Sequence, residues 1–412
     1  MNVLLSAYAC RPNTGSEPGM GWNWAIHLAE AGCEVYLVTS AERQDEVEAY
    51  LKEFPCPRLH RYYVPVPWLS PSRYGKSYHY LFWQWASLRK ARELMRTFAI
   101  DVAHHVSYGT VLLPTQLWRL GLPTVFGPVG GANISPDSLR PYFGKQATSE
   151  GVRTRLIGFL PRLWLFRLWM QKMSVVYAAN SETRELAYRA GCNTVEMLCD
   201  TGMRSDYIST APRHFDRLSP LRLLWVGTFV PRKGLALALD SLARTDSNIH
   251  LTLVGNGLPV AMVHRMISDR GLEGRVHWTG ARSTWMEVRE AYATHDALLF
   301  TSLRDSFGSQ NLEAMGSGLP IITLSLSGAK DFIPDHAGLK VEVGPTLADT
   351  VTNLSEAMNL FARLSLVERN RMSDAVWREA HSFAWTKRAE KAMALYAGLE
   401  NKHSTCVKAN IS

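Results

Sequence analysis

The sequence predicts an α/β protein built as two parallel-sheet domains in series, and three observations predict it. β-rich runs alternate with helical patterns along most of the chain, the signature of parallel sheets covered by helices. The alternation breaks at the aperiodic, two-proline stretch 209–220 and restarts at Leu221. A length of 412 residues is too great for one ordinary hydrophobic core.

Taken in order, Val3 to Ala7 reads as a first buried strand, followed by a Gly-rich loop, GSEPGMGW, from Gly15 to Trp22. A helix is expected from about Trp22 to Ala31, then a strand from Glu34 to Thr39. Further strands are expected at Val102–Val106, Thr124–Phe126 and Val175–Ala179, with helices between them. The second half repeats the pattern with strands near Leu221–Gly227, His250–Gly255, Arg275–Trp278, Ala297–Phe300 and Ile321–Thr323. This gives a first domain over 1–208 and a second over 209–384. A last helix over about 385–402 is expected to cross back, and 403–412 to form a loose tail. Ligands of such sheets bind at the carboxyl ends of the strands.

Hydrophobic content of 46% and charged content of 20% describe a globular chain. No apolar run reaches the length of a membrane span. The six cysteines are scattered without a C-x-x-C pair, which suggests neither a zinc site nor a disulfide framework and fits a reducing cytoplasm. The net charge of +8 calls for an anionic partner. Part of that charge sits in 140–172, where Arg140, Lys145, Arg153, Arg155, Arg162, Arg167 and Lys172 interleave with Phe159, Trp164, Phe166 and Trp169. Basic residues beside Trp and Phe suit an anionic membrane surface; an amphipathic helix packed on its own domain is the alternative reading.

The most informative stretch is TSLRDSFGSQNLEAMGSGLPIITLSLSGAKD, residues 301–331. It holds an acid at Asp305, a small loop through Ser306, Phe307, Gly308 and Ser309, and a second acid at Glu313. A loop that opens a helix leaves its first N–H groups unpartnered and able to hold phosphate. A carboxylate in the first turn of that helix can accept hydrogen bonds from sugar hydroxyls. Phosphate plus sugar is a nucleotide or a nucleotide sugar. Lys233, in WVGTFVPRKG at the end of the second half's first strand, can reach a diphosphate as a point charge.

VGTFVPRKG, LVGNG and RDSFGSQNLEAMGSGLPII, in that order, together with GSEPGMGW, DVAHH, GPVGGA and NSET upstream, resemble the large retaining glycosyltransferase family of GT-B fold (group 1, family 4). The resemblance runs over nearly the whole chain. It implies two Rossmann-like domains facing across a cleft, the first for acceptor and the second for donor. It also implies that Asp305 and Glu313 fill the family's Glu-x7-Glu acids, with Glu313 on the ribose. Asp305 and the N–H groups of Phe307 and Gly308 would hold the donor sugar. Those near Ser309 and Gln310, with Lys233, would hold the diphosphate, beside Gly227. Two departures stand out. Asp305 is one methylene shorter than the family's Glu, and Thr228 stands where the family carries Arg, a charge that Arg232 could replace.

The family also places a His near DVAHH; His104 is the first candidate by its spacing from Asp101, and His105 the second. Gly19, Gly21, Gly130 and Gly131 let backbone approach a ligand, because glycine needs no side-chain room, and Glu17 is a candidate acceptor-binding acid. The implied reaction moves a sugar, with retention, from a nucleoside diphosphate sugar to a hydroxyl of a glycan or polyprenyl-linked acceptor, as in surface polysaccharide assembly. No Asp-x-Asp cluster is present, so no metal or other cofactor is expected. A sugar-nucleotide epimerase or hydrolase of the same fold is the alternative. A dehydrogenase would need the third glycine of G-x-G-x-x-G, and no nucleic-acid module is recognisable, so nucleic acid is not an expected partner. The expected location is cytoplasmic, with peripheral attachment to the inner membrane face as an extension of the reading of 140–172.

Overall fold

The computed structural model describes residues 1–66, 76–280 and 285–409. They form two compact units. The first holds Met1–Ala132, Phe159–Gly202 and the C-terminal helix Trp385–Ala409; the second holds Asn133–Gly158 and Met203–Ala384. This differs from a simple division at 208/209. The stretch 133–158 belongs with the second unit because Leu139 and Phe143 are buried in its hydrophobic core. The Tyr142 hydroxyl also donates to Asp240 at 2.6 Å, and Ser138 Oγ to the Gly344 carbonyl at 3.1 Å. Met203 joins the second unit through its N–H, which donates to the Phe383 carbonyl.

The first unit carries a seven-stranded parallel sheet in the order β3-β2-β1-β4-β5-β6-β7. Its strands are β1 Asn2–Ala7, β2 Glu34–Ser40, β3 Leu59–Val64, β4 Val102–Ser107, β5 Thr124–Val129, β6 Val175–Ala178 and β7 Val195–Met197. Val3, Leu4 and Leu5 are all buried without interruption, as expected where helices cover both faces of a parallel sheet. The second unit has six parallel strands in the order β10-β9-β8-β11-β12-β13. These are β8 Leu221–Val226, β9 Ile249–Val254, β10 Val276–Trp278, β11 Ala297–Phe300, β12 Ile321–Leu324 and β13 Gly338–Val341. In each sheet the winding direction reverses beside the first strand, between β1 and β4 and between β8 and β11. Such a reversal opens a crevice at the carboxyl ends of the strands, where loops diverge.

Three local expectations change. The Gly-rich segment is mostly helix, since the first helix runs Ser16–Glu30. Gly19 and Gly21 are buried in it, and a Cβ on either would collide with the backbone oxygen of Thr14 or Ala9. Glycine serves helix-to-loop packing there. The aperiodic 209–220 is irregular but anchored: Phe215 is buried, its N–H donates to Asn370 Oδ1 at 2.7 Å, and Trp377 Nε1 donates to the Ser209 carbonyl at 2.8 Å. The last helix continues through the expected tail to Ala409, along a sequence with no proline to stop it. Strands β3, β7 and β13 were not among the expected ones; each is only partly buried, and β7 and β13 are also short. Among the described residues no helix is long and apolar enough to cross a membrane.

Candidate functional site

In the second unit Lys233, Arg232 and Asp305 meet at the β8/β11 crevice. After β8 the chain passes Gly227 and Thr228, makes a short 3-10 turn at Pro231–Lys233, and stops it with Gly234 at φ +70. A side chain on Gly234 would collide with the Thr301 carbonyl that follows β11, so glycine lets the two loops touch. Lys233 is thereby delivered onto Asp305: its Nζ donates to Asp305 Oδ2. Arg232 approaches the same oxygen at 3.5 Å, and the Ser302 hydroxyl donates to it at 3.2 Å.

Burial alone would push the Asp305 carboxyl up. The Lys233 charge and hydrogen bond, then Arg232 and Ser302, outweigh it and hold the group below the usual carboxylate range. Asp305 is an ionised acceptor already matched to two cations. The arrangement also places Arg232 beside the acid, where it supplies positive charge that Thr228, exposed and neutral, does not.

The loop then turns into the helix Ser309–Gly316 at Gly308, whose φ is +90. A Cβ there would lie 2.9 Å from the Phe300 ring. Gly308 supplies no side-chain cap, so the first N–H groups of the helix face outward, in a field that favours an anion. Phe307 fixes the loop from beneath: its ring is buried, stacked on Phe383 at 5.8 Å and edge-on to Phe332. Its contribution to a ligand is therefore backbone only. The Gln310 side chain leans toward Gly227, and its amide oxygen is buried without a hydrogen-bond partner.

Glu313 lies one turn further in than expected, as the fifth residue of this helix, directly above Ser309. Burial pushes its carboxyl above the usual range, opposed by hydrogen bonds from Tyr292 and Ser309. Tyr292 donates at 2.7 Å. Tyr292, Ser302 and Arg304 were not expected. Arg304 lies 2.8 Å from Glu150, which also pairs with Arg153 at 3.4 Å, so the 133–158 segment braces the Asp305 loop. Only Arg304 had a signal, its adjacency to Asp305; Tyr292 and Glu150 are brought in by tertiary packing.

In the first unit the loops after β1, β4 and β5 meet at the β1/β4 reversal. Glu17, in the first turn of its helix, accepts a hydrogen bond from the Gly109 N–H just past β4. Gly109 in turn accepts from the Gly130 N–H at 3.0 Å. Gly131 has φ +102, and a Cβ would press on Thr110 Oγ1 at 2.9 Å. Tyr8 and Tyr108 flank this cluster with ring centroids 6.1 Å apart. Glu17, Gly130 and Gly131 are thus brought together, whereas Gly19 and Gly21 are not.

The histidines correct the expectation for DVAHH. His104 is fully buried inside β4, with Nδ1 against the Tyr396 hydroxyl at 2.5 Å and Nε2 against the Gly127 carbonyl at 2.6 Å. His105 is buried on the other face, between Tyr80 and Ser6. Burial lowers His104 to about 4 and His105 to about 3. Both rings are neutral, with both nitrogens engaged, and present nothing to a substrate.

Two family models match the chain. The family "Glycosyl transferases group 1" matches residues 213–373, and "Glycosyltransferase Family 4" matches residues 22–191. The chain belongs to the group 1 glycosyltransferases, and it is a glycosyltransferase. It is 30% identical over 121 residues, 29% of its own length and 34% of the relative's, to a lipopolysaccharide core biosynthesis glycosyltransferase of Rhizobium meliloti. It is 24% identical to the MMP alpha-(1->4)-mannosyltransferase of Mycolicibacterium hassiacum, over 96% of its length and 98% of the relative's. Among solved structures, Anabaena HepE in complex with UDP and glucose matches with a TM-score of 0.59 at 16% identity, over 97% of this chain and 100% of that one. At that identity the likeness shows the fold, GT-B.

Proposed function

We propose that the chain transfers a sugar from a nucleoside diphosphate sugar to an acceptor hydroxyl, with retention at the anomeric carbon and without a metal. The carrying observation is the convergence of Lys233 and Arg232 on Asp305, beside the uncapped start of Ser309–Gly316 with Glu313 one turn in. The outward N–H groups and Lys233 suit a diphosphate, Glu313 a ribose, and ionised Asp305 the hydroxyls of the donor sugar. As the bond from the anomeric carbon to the diphosphate oxygen breaks, the electron pair leaves with the diphosphate. Fixed N–H dipoles and a lysine stabilise that growing charge without reorganisation. The acceptor oxygen bonds to the same face of the sugar, and its proton passes to the departing diphosphate. The UDP in the complex of the Anabaena neighbour supports a nucleotide ligand.

The acceptor we infer is a glycan or polyprenyl-linked sugar of a surface polysaccharide. The name of the Rhizobium relative supports it, as do the exposed Phe159, Leu163 and Trp164 beside exposed Arg162 in the first unit. The front of 140–172 takes no part, since Phe143 is core. The test is thermal-shift and calorimetric titration with UDP, GDP, ADP and their sugars, followed by NMR of the product anomer. One nucleotide should stabilise the wild type and lose affinity in Glu313→Ala. No stabilisation by any of them, or an inverted product, would remove the reading.

A further inference from the structure

The helix Lys76–Leu94 in the first unit has an outer face that the described residues leave uncovered. Its inner face is complete: Tyr80, Trp83, Ala91 and Leu94 are buried in one hydrophobic cluster with Tyr8, Tyr36 and Val38. On the outside, Tyr78 is 64% exposed, Leu81 40%, Phe82 51% and Trp85 53%. Steps of three and four residues put these side chains on one stripe of a helix. The stripe continues into Arg89 and Arg92, both exposed. Arg119 lies alongside, 5.5 Å from the Trp85 ring and 4.7 Å from that of Trp118. No acid occurs from Ser77 to Arg92, and Glu93 is paired with Lys90 at 2.7 Å.

A scattered exposed apolar residue is ordinary, but four large ones in a single stripe are not. Aromatic rings with a leucine, bordered by arginines and free of acids, match the boundary between headgroups and acyl chains. There the rings settle at headgroup depth and the guanidinium groups meet phosphate. We propose that this stripe docks on a bilayer containing anionic phospholipid. A second copy of the chain is a poorer occupant, because it would bring its own net charge of +8 to a basic face. The proposal deepens the lipid-linked acceptor reading and rests on it for its purpose. Tyr80 and Trp83, on the inner face, pack edge-on against Tyr8 at 5.3 and 5.2 Å. Tyr8 closes β1 beside the Glu17 and Tyr108 loops, so docking brings those loops to the surface where a lipid-linked sugar would stand.

Flotation of the full chain with vesicles tests it. Vesicles of phosphatidylcholine containing phosphatidylglycerol should carry the protein up, and phosphatidylcholine alone should not. Phe82→Ser with Trp85→Ser should abolish flotation. Arg89→Gln and Arg92→Gln, surface changes that leave the inner face intact, should each weaken it roughly fivefold. The pair Trp164→Ser and Leu165→Ser separates this stripe from the 140–172 surface and should leave part of the binding. Absence of binding by the wild type, or unaltered binding in both the Phe82/Trp85 and arginine variants, overturns the proposal. So does a dimer, seen by light scattering, that the Phe82/Trp85 variant dissolves while vesicle binding is absent. Calorimetry of nucleotide binding runs beside it; failure there removes the donor reading and leaves the docking result standing.

Discussion

β4 and β11 hold the same place in their sheets, each next to the first strand at the point of reversal, yet they treat titratable groups in opposite ways. In β4 two histidines sit within the strand, sealed between helices and held neutral. β11 is wholly apolar, and its ionised group, Asp305, stands in the loop beyond it with Lys233 and Arg232. A side chain inside a parallel strand is covered from both sides, so burial disfavours its charged form. A side chain past the carboxyl end can keep its charge if counter-charges are delivered from a neighbouring strand end. Chemistry is therefore expected at the β11 end, and stability from β4.

The sharpest test of that contrast is Lys233→Ala. It leaves Asp305 partly buried with only Arg232 and Ser302, and removes a positive charge from the diphosphate position. Removing one preorganised donor to a leaving oxyanion typically lowers kcat by about 100-fold or more. We expect a loss of that order in sugar transfer, measured with saturating donor, and weaker nucleotide binding by calorimetry. Near-normal turnover would place the charged centre outside the reaction.

The counterpart for β4 is a stability measurement. His104 is held near 4 when folded, against roughly 6.5 in an unfolded chain. Below about pH 6.5 the unfolded state gains the proton first, so stability is full above that value and falls with pH until about 4. Between pH 6.5 and 5 the loss from His104 is about 2 kcal/mol. Urea midpoints across that window should fall steeply in the wild type and less steeply in His104→Gln. An equal slope in both would show that His104 does not carry this penalty.

What was legible in the sequence follows the same physics. The Asp305–Glu313 stretch could be read because its residues are adjacent along the chain and their spacing survives folding. Lys233 could be read because it lies in the loop that follows a strand. Three-dimensional closure could not: Tyr292 reaches Glu313, and Glu150 reaches Arg304, from elements whose own patterns announce nothing. DVAHH misled because strand position was legible and burial was not; Tyr396, which caps the His104 ring, comes from a helix 292 residues away. In GSEPGMGW the glycines signalled close approach correctly, but the approaching group at Gly19 and Gly21 is the protein's own backbone.

The smallest expected effect concerns Glu17, at the first sheet's reversal. Glu17 holds the Gly109 N–H and, through its charge, adds to the burial that keeps Tyr8, Tyr80 and Tyr108 in their neutral form. Glu17→Gln retains an acceptor oxygen at nearly the same place but forfeits the charge, and a charge-assisted hydrogen bond exceeds a neutral one by about 1 kcal/mol. If these loops receive the acceptor, its KM should rise about fivefold, while nucleotide affinity at the second sheet stays at the wild-type value. A shift in nucleotide affinity with no change in acceptor KM would reverse the assignment of the two sheets. An unchanged value for both would reduce Glu17 to a loop tether.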